Sequence, residues 1–263
     1  MNNGRKIDQP IAPGTVAVVG IPWDENSSFM RGPAEAPKQI YEAIAAGSMN
    51  MCAENGVDLA EEQNFKLLDS LSLDTGPKAF EQILTAADTL LAQEAKLLAL
   101  GGDHSITYPI IRAYRKYYDN LTILHLDAHP DLYHVYENNL LSHACPFARI
   151  LEEFPTTRLV QVGVRTRNPH QSLQASRFDV ESIDMRDWQD DLKIKLTPPL
   201  YVSIDLDVLD PAYAPGVSHH EPGGMTTREL LRIISDIRIS IIGADIVELN
   251  PHRDPLGITT MTA

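Results

Sequence analysis

The run Leu121-Thr122-Ile123-Leu124-His125-Leu126-Asp127-Ala128-His129-Pro130-Asp131 reads as a buried strand that ends in charged, metal-seeking residues. Its first half is apolar, as a strand covered on both faces requires. Because a strand alternates its faces, Asp127, His129 and Asp131 are expected to point the same way. Two carboxylates and an imidazole converging at a strand's end form the donor set of a metal site. The combination recurs twice. Gly101-Gly102-Asp103-His104 closes an apolar run at 97–100, and Asp205-Leu206-Asp207 closes the run Leu200-Tyr201-Val202-Ser203-Ile204. Taken singly, Asp-x-Asp and Gly-Gly-Asp are ordinary turn chemistry. Three such pieces, each ending an apolar strand, point to one site. His104, Asp127, His129, Asp131, Asp205 and Asp207 are too many ligands for one divalent ion that keeps open positions. They fit two ions sharing carboxylates, the arrangement that activates a water between metals about 3.5–4 Å apart.

Outward from that stretch, apolar runs alternate with helical patterns. Strands are expected at 16–20, 65–68, 97–100, 121–127, 159–164, 201–207 and 241–247, with a weaker one near 178–183. Helices are expected at 36–46, 77–95, 107–118, 143–153 and 226–237. This alternation predicts βα units, hence an α/β fold: three layers, αβα, around a mostly parallel sheet of about eight strands. In such sheets sites form beyond the carboxyl ends of the strands, where all three acidic pieces fall. Thr226 with Glu229 three residues on has the spacing of a capping box. Residues 26–33 read as a βα loop beside the site, and Pro211, Pro215 and Pro222 make the stretch after Asp207 a stiff loop.

A length of 263 residues suits a single domain spanning 1–263, with residues 1–13 mobile. No run of 18 apolar residues occurs, and the start MNNGRKIDQP lacks the apolar core of a signal peptide. Cys52 and Cys145 suggest no disulfide framework. The expected location is cytoplasmic. A net charge of −14 argues against nucleic acid and is compatible with a cationic substrate. No membrane partner is expected.

GGDHS at 101–105, DAHPD at 127–131 and SIDLDVLDP at 203–211 resemble the three signatures of the ureohydrolase family, the arginases and agmatinases. The likeness spans about 16–250 and includes Gly163-Val164-Arg165 and Glu248-Leu249-Asn250-Pro251. The segments AHPDLYH, SHACPFARI and APGVSHHEPGG are most similar to plant-type arginases. The resemblance implies an arginase-like fold and two manganese ions per chain. His104, Asp127, Asp131 and Asp205 would surround one ion; Asp127, His129, Asp205 and Asp207 would surround the other, with Asp127 and Asp205 as bridges. It also implies a homo-oligomer, trimer or hexamer. Relatives usually continue into a further helix after the Thr-rich segment; either that helix is absent here or the sequence is a shortened form.

His143 stands where relatives carry a proton-shuttling histidine, at the start of an expected helix. Glu248 matches the family carboxylate that pairs with a guanidinium. His125 shares strand parity with Asp127 but matches no ligand position, so it reads as a core or supporting histidine. Asp103 and Asp210 read as acids satisfying turn backbones, and His219 and His220 as surface or supporting residues of the Pro-rich loop. The implied reaction cleaves a guanidino compound to urea and an amine, with L-arginine favoured over agmatine or guanidinobutyrate. Gly163-Val164-Arg165 is followed by Thr166-Arg167-Asn168, without the acids animal arginases carry there. Donors to hold a substrate carboxylate are expected from Asn26, Ser27, Ser28, Arg31, Tyr133 and Asn138. A metal-binding protein without turnover is the rival of a different class; the full ligand set speaks against it.

Overall fold

Among the described residues, every pairing between strands is parallel. The computed structural model describes residues 6–47, 50–189 and 192–263. Its strands are β1 (Val16–Gly20), β2 (Phe65–Leu67), β3 (Lys96–Leu100), β4 (Thr122–Leu126), β5 (Arg158–Val162), β6 (Glu181–Ile183), β7 (Leu200–Asp205) and β8 (Ile241–Val247). They form one sheet in the order β2-β1-β3-β8-β7-β4-β5-β6. Parallel neighbours need crossover connections, and helices supply most of them: α1 (Ala36–Ala45), α2 (Pro77–Leu91), α3 (Thr107–Tyr114), α4 (Pro146–Glu153), α5 (Pro169–Arg177) and α6 (Thr227–Asp236), while α7 (Ile258–Thr262) follows the last strand.

Period-two alternation sorts the apolar side chains into two layers. Ala17, Val19, Leu97, Ala99, Ile123 and Tyr201 pack with Ile83 of α2, Ile110 of α3 and Phe147 of α4. On the opposite face Val18 and Leu100 meet Ile40 of α1, while Leu124, Val160 and Val202 meet Leu230 and Ile233 of α6. Each fully buried Leu or Ile contributes roughly 1.5–3 kcal/mol relative to exposure.

Beyond the earlier ends of α2, α3 and β7 and the unannounced α7, the structure departs from the sequence reading in four places. First, β4 stops at Leu126, so the acidic stretch leaves the sheet instead of continuing its alternation. The Asp127 carboxylate takes the His129 N–H at 2.5 Å, Pro130 has no N–H to extend a ladder, and Asp131 adopts a left-handed φ of 49°. Second, α4 begins at Pro146, so His143 lies in the turn before it and does not open the helix. Proline suits the first helical turn, where no N–H is missed. Third, α5 is a helix the apolar pattern did not announce; the capping box of Asn168 and Gln171 starts it. Fourth, the expected mobility of residues 1–13 falls partly outside the described residues, at 1–5. Within them, Ile11 is buried and its N–H donates to Gln93 Oε1 at 2.8 Å. The expected capping box of Thr226 and Glu229 is present at α6.

Strands β3, β8, β7 and β4 are neighbours at the middle of the sheet. Their carboxyl ends open on one crevice, and the turns leaving them carry His104, Glu248, Asp205 with Asp207, and Asp127 through Asp131. Gly102 makes the first turn feasible: a Cβ there would lie 1.7 Å from the Trp23 carbonyl oxygen.

Candidate metal centre and active site

His104 sits in the turn of one 3-10 helix (His104–Ile106) directly after β3. Its Nδ1 is buried and has no hydrogen-bond partner. Around that atom stand Asp131 Oδ2 at 3.1 Å, Asp127 Oδ2 at 3.2 Å and Asp205 Oδ2 at 3.3 Å. On the far side of Asp127, His129 Nδ1 lies 3.4 Å from Asp127 Oδ1 and 3.0 Å from Asp207 Oδ2. One carboxylate therefore faces His104 through Oδ2 and His129 through Oδ1. Potential ligand atoms cluster in two sets: His104, His125, Asp127 and Asp131 in one, Asp127, His129 and Asp207 in the other. Asp205 adds its Oδ2 to the first set, while its Oδ1 accepts the Asp207 N–H at 2.8 Å.

These residues fit a pair of divalent cations, and His104 shows why. A buried ring nitrogen ringed by carboxylate oxygens without a hydrogen bond to any of them is what a ligand lone pair looks like beside its fellow ligands. The crowding of anions agrees. Burial, then the charges of Asp207 and Asp127, push Asp205 well above the usual carboxylate range. Asp127 is held well below it: burial opposes its ionisation, but His125, His104 and His129 outweigh that. Positive charge placed among these acids relieves the repulsion.

His125 supports the cluster. Gln161 Nε2 donates to Pro130 O at 2.6 Å, which fixes the amide's orientation, and also lies 3.0 Å from His125 Nδ1. His125 Nδ1 is then the acceptor, and its Nε2–H donates to Asp127 Oδ2 at 2.7 Å. This tautomer is assigned from its partners. Asp103 accepts the backbone N–H groups of Ser105 and Asn26, and Asp210 those of Ala212, Gly223 and Gly224.

Beside the cluster lies a cavity of about 170 Å³ lined by Ser28, Tyr133, Tyr136, His143, Thr166, Gln171, His219 and Glu248 together with His129, Asp131, Asp205 and Asp207. His143 Nδ1 and Glu248 Oε1 are 2.8 Å apart, and the same oxygen accepts the His104 N–H at 2.8 Å. Glu248 holds a left-handed φ of 66°, the kind of strain found where a side chain must be aimed. The Ser28 N–H donates to His143 Nε2 at 3.1 Å and Ser28 Oγ lies 2.8 Å from it. Tyr133 OH accepts from Asn168 Nδ2 at 2.6 Å, so it keeps its own proton to donate.

Two expected substrate contacts lie elsewhere. Arg31 projects into solvent, its side chain 61% exposed, and donates to the Glu25 carbonyl. Asn138 is exposed at a left-handed turn position, φ 62°. Neither lines the cavity, because both sit on loop tips whose direction no periodicity encodes. Asn26 is turned inward to Ser105 and Ser27 to Asp103. The wall instead includes Tyr136, Thr166, Gln171 and His219, which the sequence reading did not place there. His219 packs 5.6 Å from the His143 ring and 5.4 Å from Phe29. Recognising α5 from the Asn168–Gln171 box would have brought Gln171 into view. A larger cavity of about 410 Å³ between Trp188, Leu196, Ile233 and Ile237 holds none of the residues of the His/Asp cluster.

An all-parallel sheet with a His/Asp cluster at the carboxyl ends of its central strands defines a metal-dependent α/β enzyme. The model of the arginase family matches residues 14–263, and the chain belongs to that family. It is 42% identical over 269 residues to "Arginase 1, mitochondrial" of Arabidopsis thaliana, covering 96% of this chain and 79% of that protein. An agmatinase of Halalkalibacterium halodurans is 33% identical over 253 residues, covering 94% and 87% respectively. The solved arginase from Medicago truncatula matches with a TM-score of 0.89 at 38% identity, over 95% of this chain and 84% of that one. The expectation of a cytoplasmic protein is overturned here, since the Arabidopsis relative is named mitochondrial. Among the described residues, no helix is long and apolar enough to cross a membrane.

Proposed function

We propose that the chain, as a single ureohydrolase domain, hydrolyses L-arginine to L-ornithine and urea with two Mn2+ ions. His104, Asp127, Asp131 and Asp205 would hold one ion and Asp127, His129, Asp205 and Asp207 the other. The observation that carries this reading is Asp127, whose two oxygens face His104 Nδ1 and His129 Nδ1 at 3.2 and 3.4 Å. When bound, the ions lower the pKa of a water and stabilise charge developing on the guanidinium carbon's substituents.

The chain's own residues do the rest. Glu248 offers a carboxylate to the planar guanidinium, whose fork of N–H donors it matches, and so orients the central carbon. His143 carries the proton that the departing amine needs, and its contact with Glu248 ties proton transfer to substrate position. Tyr133 and Ser28 face the amino-acid end. The plant-arginase relatives and the Tyr133 hydroxyl favour arginine; agmatine has no carboxylate to use that donor. Agmatine hydrolysis is the second reading, favoured by the agmatinase relative. In this reading the protein assembles as a trimer or hexamer. The test is urea release from Mn2+-loaded protein with each compound: a higher kcat/KM for agmatine would replace the arginase reading and leave the metal chemistry in place.

A further inference from the structure

From His104 a polar chain runs into strands β7 and β8 that the proposed chemistry leaves unused. Asp245 belongs to β8 and is completely buried. A carboxylate taken out of water costs several kcal/mol unless donors surround it. Three hydroxyls do so: Ser203 Oγ at 2.6 Å on one oxygen, Tyr201 OH at 2.8 Å and Thr107 Oγ1 at 3.0 Å on the other. Ser203 Oγ also lies 2.9 Å from His104 Nε2.

The direction of each bond follows from proton count. A carboxylate has no proton to give, so the single hydroxyl hydrogen of Ser203 goes to Asp245. Ser203 Oγ can then only accept from His104, which places the ring proton on Nε2. The Nδ1 lone pair is thereby left bare, and it is Nδ1 that faces Asp127, Asp131 and Asp205. Were the chain reversed, with Ser203 donating to Nε2, a neutral His104 would carry its proton on Nδ1 and could not ligate.

We propose that Asp245, acting through Ser203, is a positioning residue that fixes the metal-binding tautomer of His104. The relay crosses three adjacent strands, from β8 to β7 to the turn after β3, and so also fixes the ring's plane. This rests on the two-ion reading above. Partners of this kind set ligand orientation and basicity, and losing one costs about 10–100-fold in metal affinity.

The test is calorimetric titration of metal-free protein with Mn2+. Ser203→Ala, which breaks the relay, is expected to weaken one of two bound ions about 10–100-fold while the other changes less than about 3-fold. Asp245→Asn, nearly isosteric, lets the amide donate to Ser203 and turns the hydroxyl towards Nε2; the same selective loss is expected. Tyr201→Phe removes a donor to Asp245 that is off the path to His104 and should leave both affinities unchanged, with melting of the metal-free protein as the folding control. If Ser203→Ala does not fold, Asp245→Asn carries the expectation alone. Two ions bound with natural affinity in the relay variants overturn the proposal, as does an equal loss in Tyr201→Phe. Natural protein that binds no Mn2+ overturns the two-ion reading and the relay with it.

Discussion

His143 joins Glu248 through Nδ1 and Oε1 at 2.8 Å while its Nε2 receives the Ser28 amide N–H at 3.1 Å. An amide N–H can only donate, so the ring as placed carries one proton on Nδ1 and presents Nε2 to Ser28, while the carboxylates around it favour uptake of a second proton there. Glu248 thus fixes the tautomer and Ser28 occupies the proton-accepting edge.

His143→Ala is expected to lower turnover roughly 10²–10⁴-fold, the range for a lost general acid or base. Metal content should stay the same, because His143 touches no member of the cluster directly. An unchanged rate would move proton transfer elsewhere, with His219 the first residue to examine.

The same pair makes stability pH-dependent. Burial favours neutral His143, but Glu248, then Asp103 and Asp131, outweigh it and push its pKa up to about 9. The folded value lies above the unfolded one, near 6.5. Its contribution is therefore complete below pH 6.5 and fades as pH rises through 9, by roughly 3 kcal/mol in all. Melting of the metal-free protein between pH 6 and 10, compared with His143→Gln, measures this. A variant with the same slope as the natural protein removes His143 as its source.

Tyr133→Phe probes the substrate's amino-acid end. Losing one hydroxyl to a carboxylate costs about 1.5–3 kcal/mol, or roughly 10–150-fold. That loss is expected in kcat/KM for arginine and not for agmatine. Equal effects on both would make Tyr133 a wall and nothing more.

Much of this arrangement can be read from residue order alone. Central strands announce themselves by apolar runs that end in acids, and burial on both faces leaves them no other pattern. What resists reading is direction. Arg31 and Asn138 look like good donors, yet their loops aim them at solvent. Asp127, His129 and Asp131 converge through an Asx turn and a left-handed residue, not through the strand alternation that first suggested it. α5 stayed hidden because its buried face includes Gln171 and Gln174, polar residues that break the apolar period. Ser203 and Asp245 lie within apolar strands, where period two says only that they face one side. Their pairing depends on β7 and β8 being neighbours, in register at Ser203 and Asp245.

Gly102→Ala should disable the site from a distance. Its Cβ would collide with backbone, the Trp23 carbonyl, so the turn must shift and carry His104 with it. Loss of about one bound Mn2+ per chain is expected, with the sheet's circular dichroism preserved; full metal content in that variant would show that the turn can adapt.

The shared carboxylate is the centre of the account, and Asp127→Asn tests it most directly. A carboxamide is neutral and presents only one ligand oxygen, so it cannot serve both His104 and His129. Metal analysis of the Mn2+-loaded variant should find at most one ion per chain where the natural protein holds two, with urea release from L-arginine reduced at least about 10²-fold. Two ions per chain and natural turnover in Asp127→Asn would contradict a two-ion centre built on that residue.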